Sequence, residues 1–178
     1  MTELACPEAC PYLQEARAHA SQRRSERIIR HLIEQDKRDL FERIRNLEPI
    51  IYRIEKAVVE VQRKQFRDLT DQEALEGLES ALQTAETLGR GIIYEHKPRA
   101  PRSQAVTEAI LRGIEEIKAE LQKHGQSRLL TSDEVTSCLA FVREWMRLEM
   151  SSEGHAYLHQ TALHHPYPED QTRLIVTP

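Results

Sequence analysis

Two thiols stand four residues apart near the start of the chain, in Cys6-Pro7-Glu8-Ala9-Cys10-Pro11. Such a pair can share a metal ion or close a strained disulfide, and zinc takes cysteine and histidine ligands in sets of four. Proline is favoured at the first position of a helix, where its missing N–H would have no partner in any case. A helix is therefore expected to begin at Pro11, and its dipole would favour a thiolate at Cys10. The other half of a ligand set lies near the opposite end of the sequence. His155 and His159 are four apart, so on a helix they share one face, and His164 and His165 follow closely. Cys6, Cys10, His155 and His159 thus form a candidate zinc site, on the condition that the two ends of the chain meet. Otherwise the cysteines belong to a leader and the histidines to a polar tail.

A second candidate is the stretch Arg90-Gly-Ile-Ile-Tyr-Glu-His-Lys-Pro-Arg-Ala-Pro-Arg102. Pro98 and Pro101 push the residues before them into extended geometry. Arg90, Lys97, Arg99 and Arg102 are opposed only by Glu95. The segment runs into the start of a following helix, where free N–H groups favour an anion. Arg90, His96, Arg99 and Arg102 are therefore candidate ligands for a phosphate, a carboxylate or an acidic partner segment. Glu95 and His96 resemble an acid–base couple, but neighbours in an extended segment point to opposite faces and do not serve one reacting atom. The plainer reading makes this stretch a strap, with Ile92, Ile93 and Tyr94 plugging the protein body and the charges left in water.

Other chemistry is missing from the sequence. It contains no Walker-type phosphate loop, no Gly-x-Ser-x-Gly elbow and no His-Glu-x-x-His. It also lacks the Glu-x-x-His pairs that di-iron bundles need. Cys138 sits beside Leu139 and Val142 and reads as a core residue. Arg23, Arg27 and Arg30 share a helix face, with Arg17 and Arg24 nearby. Glu15, Glu26 and Glu34 dilute that patch, and no aromatic residue is interleaved for base stacking. The net charge of −4 also argues against a nucleic-acid partner. Charge falls in modest blocks, net +2 over 1–66, −4 over 67–91, +2 over 92–128 and −4 over 129–178. Such blocks suit helices with complementary faces better than a single field aimed at a polyanion.

The elements that must position these residues read as helices. The 178 residues include only six glycines and 5% aromatics, which is poor material for a β-sandwich or barrel. Ile29, Ile33, Leu40, Ile44, Leu47, Ile51, Ile54, Val58 and Val61 form one stripe, with heptad spacing from Leu40 onward. Pro49 lies inside this stripe. Because the stripe keeps its phase, the helix is expected to continue through Pro49 with a kink, the alternative being two helices that meet near Asn46–Glu48. Lys37 interrupts the stripe on its other side, where a turn and an unbroken helix are both open. Thr70 with Glu73, and Thr131 with Glu134, match capping boxes. Ser103 is read as the cap of a helix reaching about residue 124, Gly89 as a helix end, and His155–Leu163 as a short helix.

The expected fold is an all-α bundle of four to five main helices, one of them long and kinked at proline. Residues 1–10 form a leader, 11–150 the bundle and 151–178 a His/Pro-rich tail. No apolar run approaches the roughly 20 residues of a membrane span. The acidic start lacks a signal-peptide pattern, and three cysteines without secretory context point to the cytoplasm. The functional expectation is a non-enzymatic helical interaction or scaffold protein that self-associates as a homodimer, binds a protein partner, or serves as a subunit of a larger assembly. The alternative is a metal- or anion-binding regulator or enzyme using the two candidate groups above.

Overall fold

Each capping box in the sequence starts a helix in the computed structural model, which describes residues 10–34, 37–123, 130–150 and 154–165. The Thr70 hydroxyl accepts from the Glu73 N–H (3.2 Å), while the Glu73 carboxylate accepts from the Thr70 N–H (3.0 Å). Thr131 and Glu134 make the same reciprocal pair. These bonds satisfy N–H groups that a helix start leaves without intrahelical partners.

The chain divides after Arg38 into two compact units. The first contains α1 (Pro11–Glu34), which begins at Pro11 as the sequence predicts. Ile33, assigned to the apolar seam, is 45% exposed. Lys37 lies outside the flanking helices, and its N–H returns to the Leu32 carbonyl. The second unit holds the remainder of α2 (Arg38–Ile44), then α3 (Glu48–Lys64), α4 (Asp71–Gly89), α5 (Pro101–Lys123), α6 (Ser132–Glu149) and α7 (Ala156–His164). The fold is all-α. It has seven helices among the described residues rather than four to five, because the expected long helix is divided and α7 is a separate short element.

The division at Pro49 corrects the expected kink. Arg45–Leu47 make a turn, in which the Leu47 N–H bonds the Ile44 carbonyl, and Pro49 falls in the first turn of α3. Its fixed φ suits that position, and no N–H partner is lost there. The stripe keeps phase across the break because Ile44, Leu47, Ile51, Ile54, Val58 and Val61 all face one core. α3 packs against α5, α6 and α7. The seam is therefore intrachain core, and residues 44–61 leave no open heptad face for a second subunit.

The bundle directions follow from its cross-links. Arg53, early in α3, bonds Glu120, late in α5 (3.0 Å), so these helices are antiparallel. Arg102 and Ser103 at the start of α5 reach Glu73 and Glu76 at the start of α4, so α4 and α5 are parallel. Arg147 near the end of α6 pairs with Glu79 of α4, and Gly89 lies against Ser132, so α6 runs antiparallel to α4. At the α4–α5 crossing, a Cβ on Gly77 would lie 2.6 Å from both the Ser103 carbonyl oxygen and the Val106 Cβ. Glycine lets the helices touch there, and the Thr107 hydroxyl donates to the Gly77 carbonyl.

Parallel neighbours need a long connection. α4 has 19 residues, and at 1.5 Å per residue the chain must travel back about 28 Å. Residues 90–100 make that return, fully extended chain covering at most ~3.3–3.6 Å per residue.

Candidate functional site

The return strap begins where α4 ends. Gly91 has φ +78°, a left-handed conformation that glycine adopts without steric cost. The αL position lies at Gly91 rather than at Gly89, the last helical residue. The Gly91 and Ile92 N–H groups bond the Leu88 and Thr87 carbonyls, closing the helix end. The Tyr94 N–H then bonds the Ile92 carbonyl (3.1 Å), a γ-turn with Ile93 at its apex.

From Tyr94 to Lys97 the chain is neither helix nor paired strand. Side chains two residues apart meet in two pairs. Tyr94 and His96 make an edge-on ring contact at 4.9 Å, and Lys97 pairs with Glu95 at 3.7 Å. Two such i, i+2 contacts match the two-residue period of extended chain. The segment is tied to α4 through its backbone. The His96 N–H donates to the Thr84 hydroxyl (2.9 Å), and the Thr87 hydroxyl reaches the Tyr94 carbonyl (3.2 Å). Thr87 has a single hydroxyl proton and also approaches the Gln83 and Thr84 carbonyls, so Thr84 is the firmer anchor.

The side chains of the strap do not plug the bundle. Ile92 is 54% exposed, Ile93 95% and Tyr94 58%, and Leu88 beside them is 48% exposed. This corrects the expectation of an inward apolar plug. The geometry allows the backbone to be fixed while the apolar groups stand in water, because the anchoring is by N–H and C=O alone.

The four predicted strap ligands have different surroundings. Arg90 follows the last residue of α4 and is exposed; Arg99 is exposed; His96 is half-buried. The Arg102 guanidinium is occupied, since it bonds the Asp68 carboxylate (2.9 Å), approaches Glu73 (3.6 Å) and lies over the Phe66 ring. Its hydrogen bond holds the Asp68 carboxyl below its usual range, and Asp68 in turn raises the Arg102 pKa. Arg102 therefore ties the α3–α4 connection to the start of α5. Ser103 is fully buried, and its hydroxyl bonds Glu76. It lies inside α5, which starts at Pro101, and so is not the cap of that helix.

Cys6 lies outside the described residues. Cys10 is half-buried just before α1 and belongs to the first unit. His155 and His159 belong to the second, one just before α7 and the other within it. The His155 Nδ1 lies 3.1 Å from the Leu69 carbonyl oxygen, and His159 is exposed. Among the described residues no group of three or more His, Cys, Asp or Glu side chains is arranged to hold a metal ion. Cys138 is fully buried, and burial pushes its thiol up to about 12, in keeping with a core role.

One polar cluster was not legible as a site. The Asp71 carboxylate, with no exposed surface, accepts from the Tyr157 and Leu158 N–H groups (3.0 Å each) at the start of α7. The Arg63 guanidinium donates to the Ala162 and His165 carbonyls at its end. An anion at the N-terminus and a cation at the C-terminus complement the helix dipole. Glu55 accepts from the Tyr157 hydroxyl (3.3 Å) and lies 3.4 Å from the His165 Nε2. These carboxylate, imidazole and phenol groups are buried against one another and hold α7 on the bundle. A charge at position 55, within the buried face of α3, was the one local sign of them in the sequence.

No family description, curated protein or solved structure matches this chain. No helix among the described residues is long and apolar enough to cross a membrane.

Proposed function

We propose that this is a non-enzymatic docking protein whose binding surface is the strap between α4 and α5. The observation that carries this reading is the run Ile92-Ile93-Tyr94, exposed in sequence on a backbone bonded to α4. Single exposed apolar residues are ordinary, but a contiguous run on an ordered segment is a mark of an interaction surface. Covering a side chain of isoleucine size is worth roughly 1.5–3 kcal/mol. Because the strap is already ordered, little entropy is lost when a partner settles on it. Arg90 and Arg99 flank the apolar run in sequence and are exposed, which favours an acidic rim on that partner. The strap is preferred to the heptad seam as the associating surface because the seam from Ile44 to Val61 lies in the core.

The test is quantitative affinity purification from the native cell with wild-type and Ile93→Asp baits. At least one partner should fall by roughly tenfold or more, equivalent to about 1.4 kcal/mol of binding, while the melting temperature of the bait is unchanged. Identical partner sets from both baits would sink the proposal.

A further inference from the structure

The strap has two edges, and only one is used. Along an extended chain, the N–H and C=O of alternate residues point to opposite sides. The even positions face α4, through the Tyr94 carbonyl to Thr87 and the His96 N–H to Thr84. The Ile92 and Tyr94 N–H groups are likewise bonded within the chain. By the same alternation the odd positions face away, and the N–H groups of Glu95 and Lys97 make no backbone bond to a described residue. The two threonine hydroxyls therefore take the place of a neighbouring strand on the inner side, and the outer side is an open edge of main chain two residues long. Pro98 ends this edge, since it has no N–H to offer and holds Lys97 extended.

We infer that the partner docks by strand addition: an extended segment of another protein pairs with the outer edge at Glu95 and Lys97, and an apolar side chain of that segment packs on Ile93. An exposed strand edge is a ready template for such pairing, with main-chain bonds giving affinity and alternate side chains giving specificity. Charge decides what kind of segment fits. With Arg102 paired to Asp68 and Glu73 and Lys97 to Glu95, the strap presents Arg90 and Arg99 as exposed cations. A second copy of this strap would bring like charge to like charge, so a segment alternating apolar with acidic residues is the complement. This inference rests on the docking proposal above but goes beyond it, since docking by side chains alone would leave the outer edge bare.

The experiment pans a displayed library of random peptides on the full chain, then synthesises the best binder plainly and with alternate backbone nitrogens methylated in each of the two phases. Selected sequences should alternate apolar with Asp or Glu. Methylation in one phase should weaken binding by roughly tenfold or more, and in the other phase barely. Amide exchange at Glu95 and Lys97 should slow in the complex. Glu95→Pro removes one outer N–H, and Tyr94 is already extended as a residue before proline must be. It should lose binding as the methylated peptide does, and if it melts early, the methylated peptides on wild-type protein decide. Peptides that tolerate methylation in both phases, yet fail on Ile93→Asp, would overturn strand addition and leave docking standing. Peptides that bind Ile93→Asp as well as wild type, or a library yielding no binder, would overturn both. Vesicles of phosphatidylserine and phosphatidylcholine are the last arm. Ile93-dependent binding to them, unaffected by Glu95→Pro, would make the surface a lipid one and overturn the inference.

Discussion

Tyr157 and Leu158 in α7 have no exposed surface, whereas Ile93 and Tyr94 in the strap stand largely in water. Both segments are short and both lie outside the four long helices of the second unit. They differ in what anchors them. α7 is clamped at its ends by Asp71 and Arg63, and its apolar face turns onto α3, α4 and α6. The strap is held at mid-length by threonine hydroxyls that grip its backbone. A segment anchored through its main chain need not bury its side chains to be ordered. The same residue types thus serve as core in one place and as a presented surface in the other.

The comparison predicts that α7 is coupled to global stability and the strap is not. Asp71→Ala leaves two buried N–H groups without acceptors, each costing about 1–3 kcal/mol, and should lower the unfolding free energy by roughly 2–6 kcal/mol in denaturant titration. A loss below about 0.5 kcal/mol, the range of ordinary surface changes, would mean that α7 is not held as described.

Gly77→Ala tests the seat from which the strap becomes necessary. Its Cβ would collide with the Ser103 carbonyl and Val106, and overpacking of this kind costs about 1–3 kcal/mol. Unchanged thermal stability would show that α4 and α5 are not in close register at this point.

Thr84→Val keeps the shape and removes the acceptor for the His96 N–H. The expected cost is about 1 kcal/mol in the local opening of the strap, with faster amide exchange confined to residues 92–97 and none at α7. Exchange that quickens equally in both segments would break the distinction between them. Ile93→Asp should change stability by less than about 0.5 kcal/mol, its effect being on binding alone.

The smallest effect concerns pH. The Asp68 carboxyl is held below its usual value of 3.8 by its bond to Arg102. A carboxyl depressed in the folded state adds stability above its unfolded pKa and loses it as pH falls through the folded value. The small difference in melting temperature between wild type and Asp68→Asn near neutral pH should therefore narrow and close as pH falls below the carboxyl's ordinary value of 3.8. A gap that persists in acid would show that the ionised carboxylate is not its source.

Much of the helical frame could be read locally, because a capping box is a signal four residues long and a buried stripe repeats every few residues. Thr70, Thr131 and the stripe from Ile44 to Val61 were legible for that reason. At Pro49 the unbroken phase of the stripe was no guide to the helix. A three-residue turn returned the chain to the same core, so continuity of the stripe did not require continuity of the helix. In the strap, the extended geometry and positive charge were visible, but the direction of its apolar side chains was not. That direction is set by Thr84 and Thr87, which lie on another element and look like ordinary helix residues. Arg102 read as a free cation because Asp68, 34 positions away, gives no local sign of pairing with it. The α7 clamp is harder still, since its partners are 86 to 102 residues apart.

The parallel course of α4 and α5 has a consequence for how this chain can be cut. The strap is extended and open along one edge, which is the shape a protease cleft accepts. Arg90–Gly91 and Arg99–Ala100 offer tryptic bonds, while Pro98 shields Lys97. Cleavage there would part the second unit into a half ending with α4 and a half holding α5, α6 and α7, without severing any helix. Each half keeps one face of the shared core and has nowhere else to bury it. The two fragments should therefore remain together through gel filtration and separate only in denaturant, making the strap a natural place to split the protein into complementing halves.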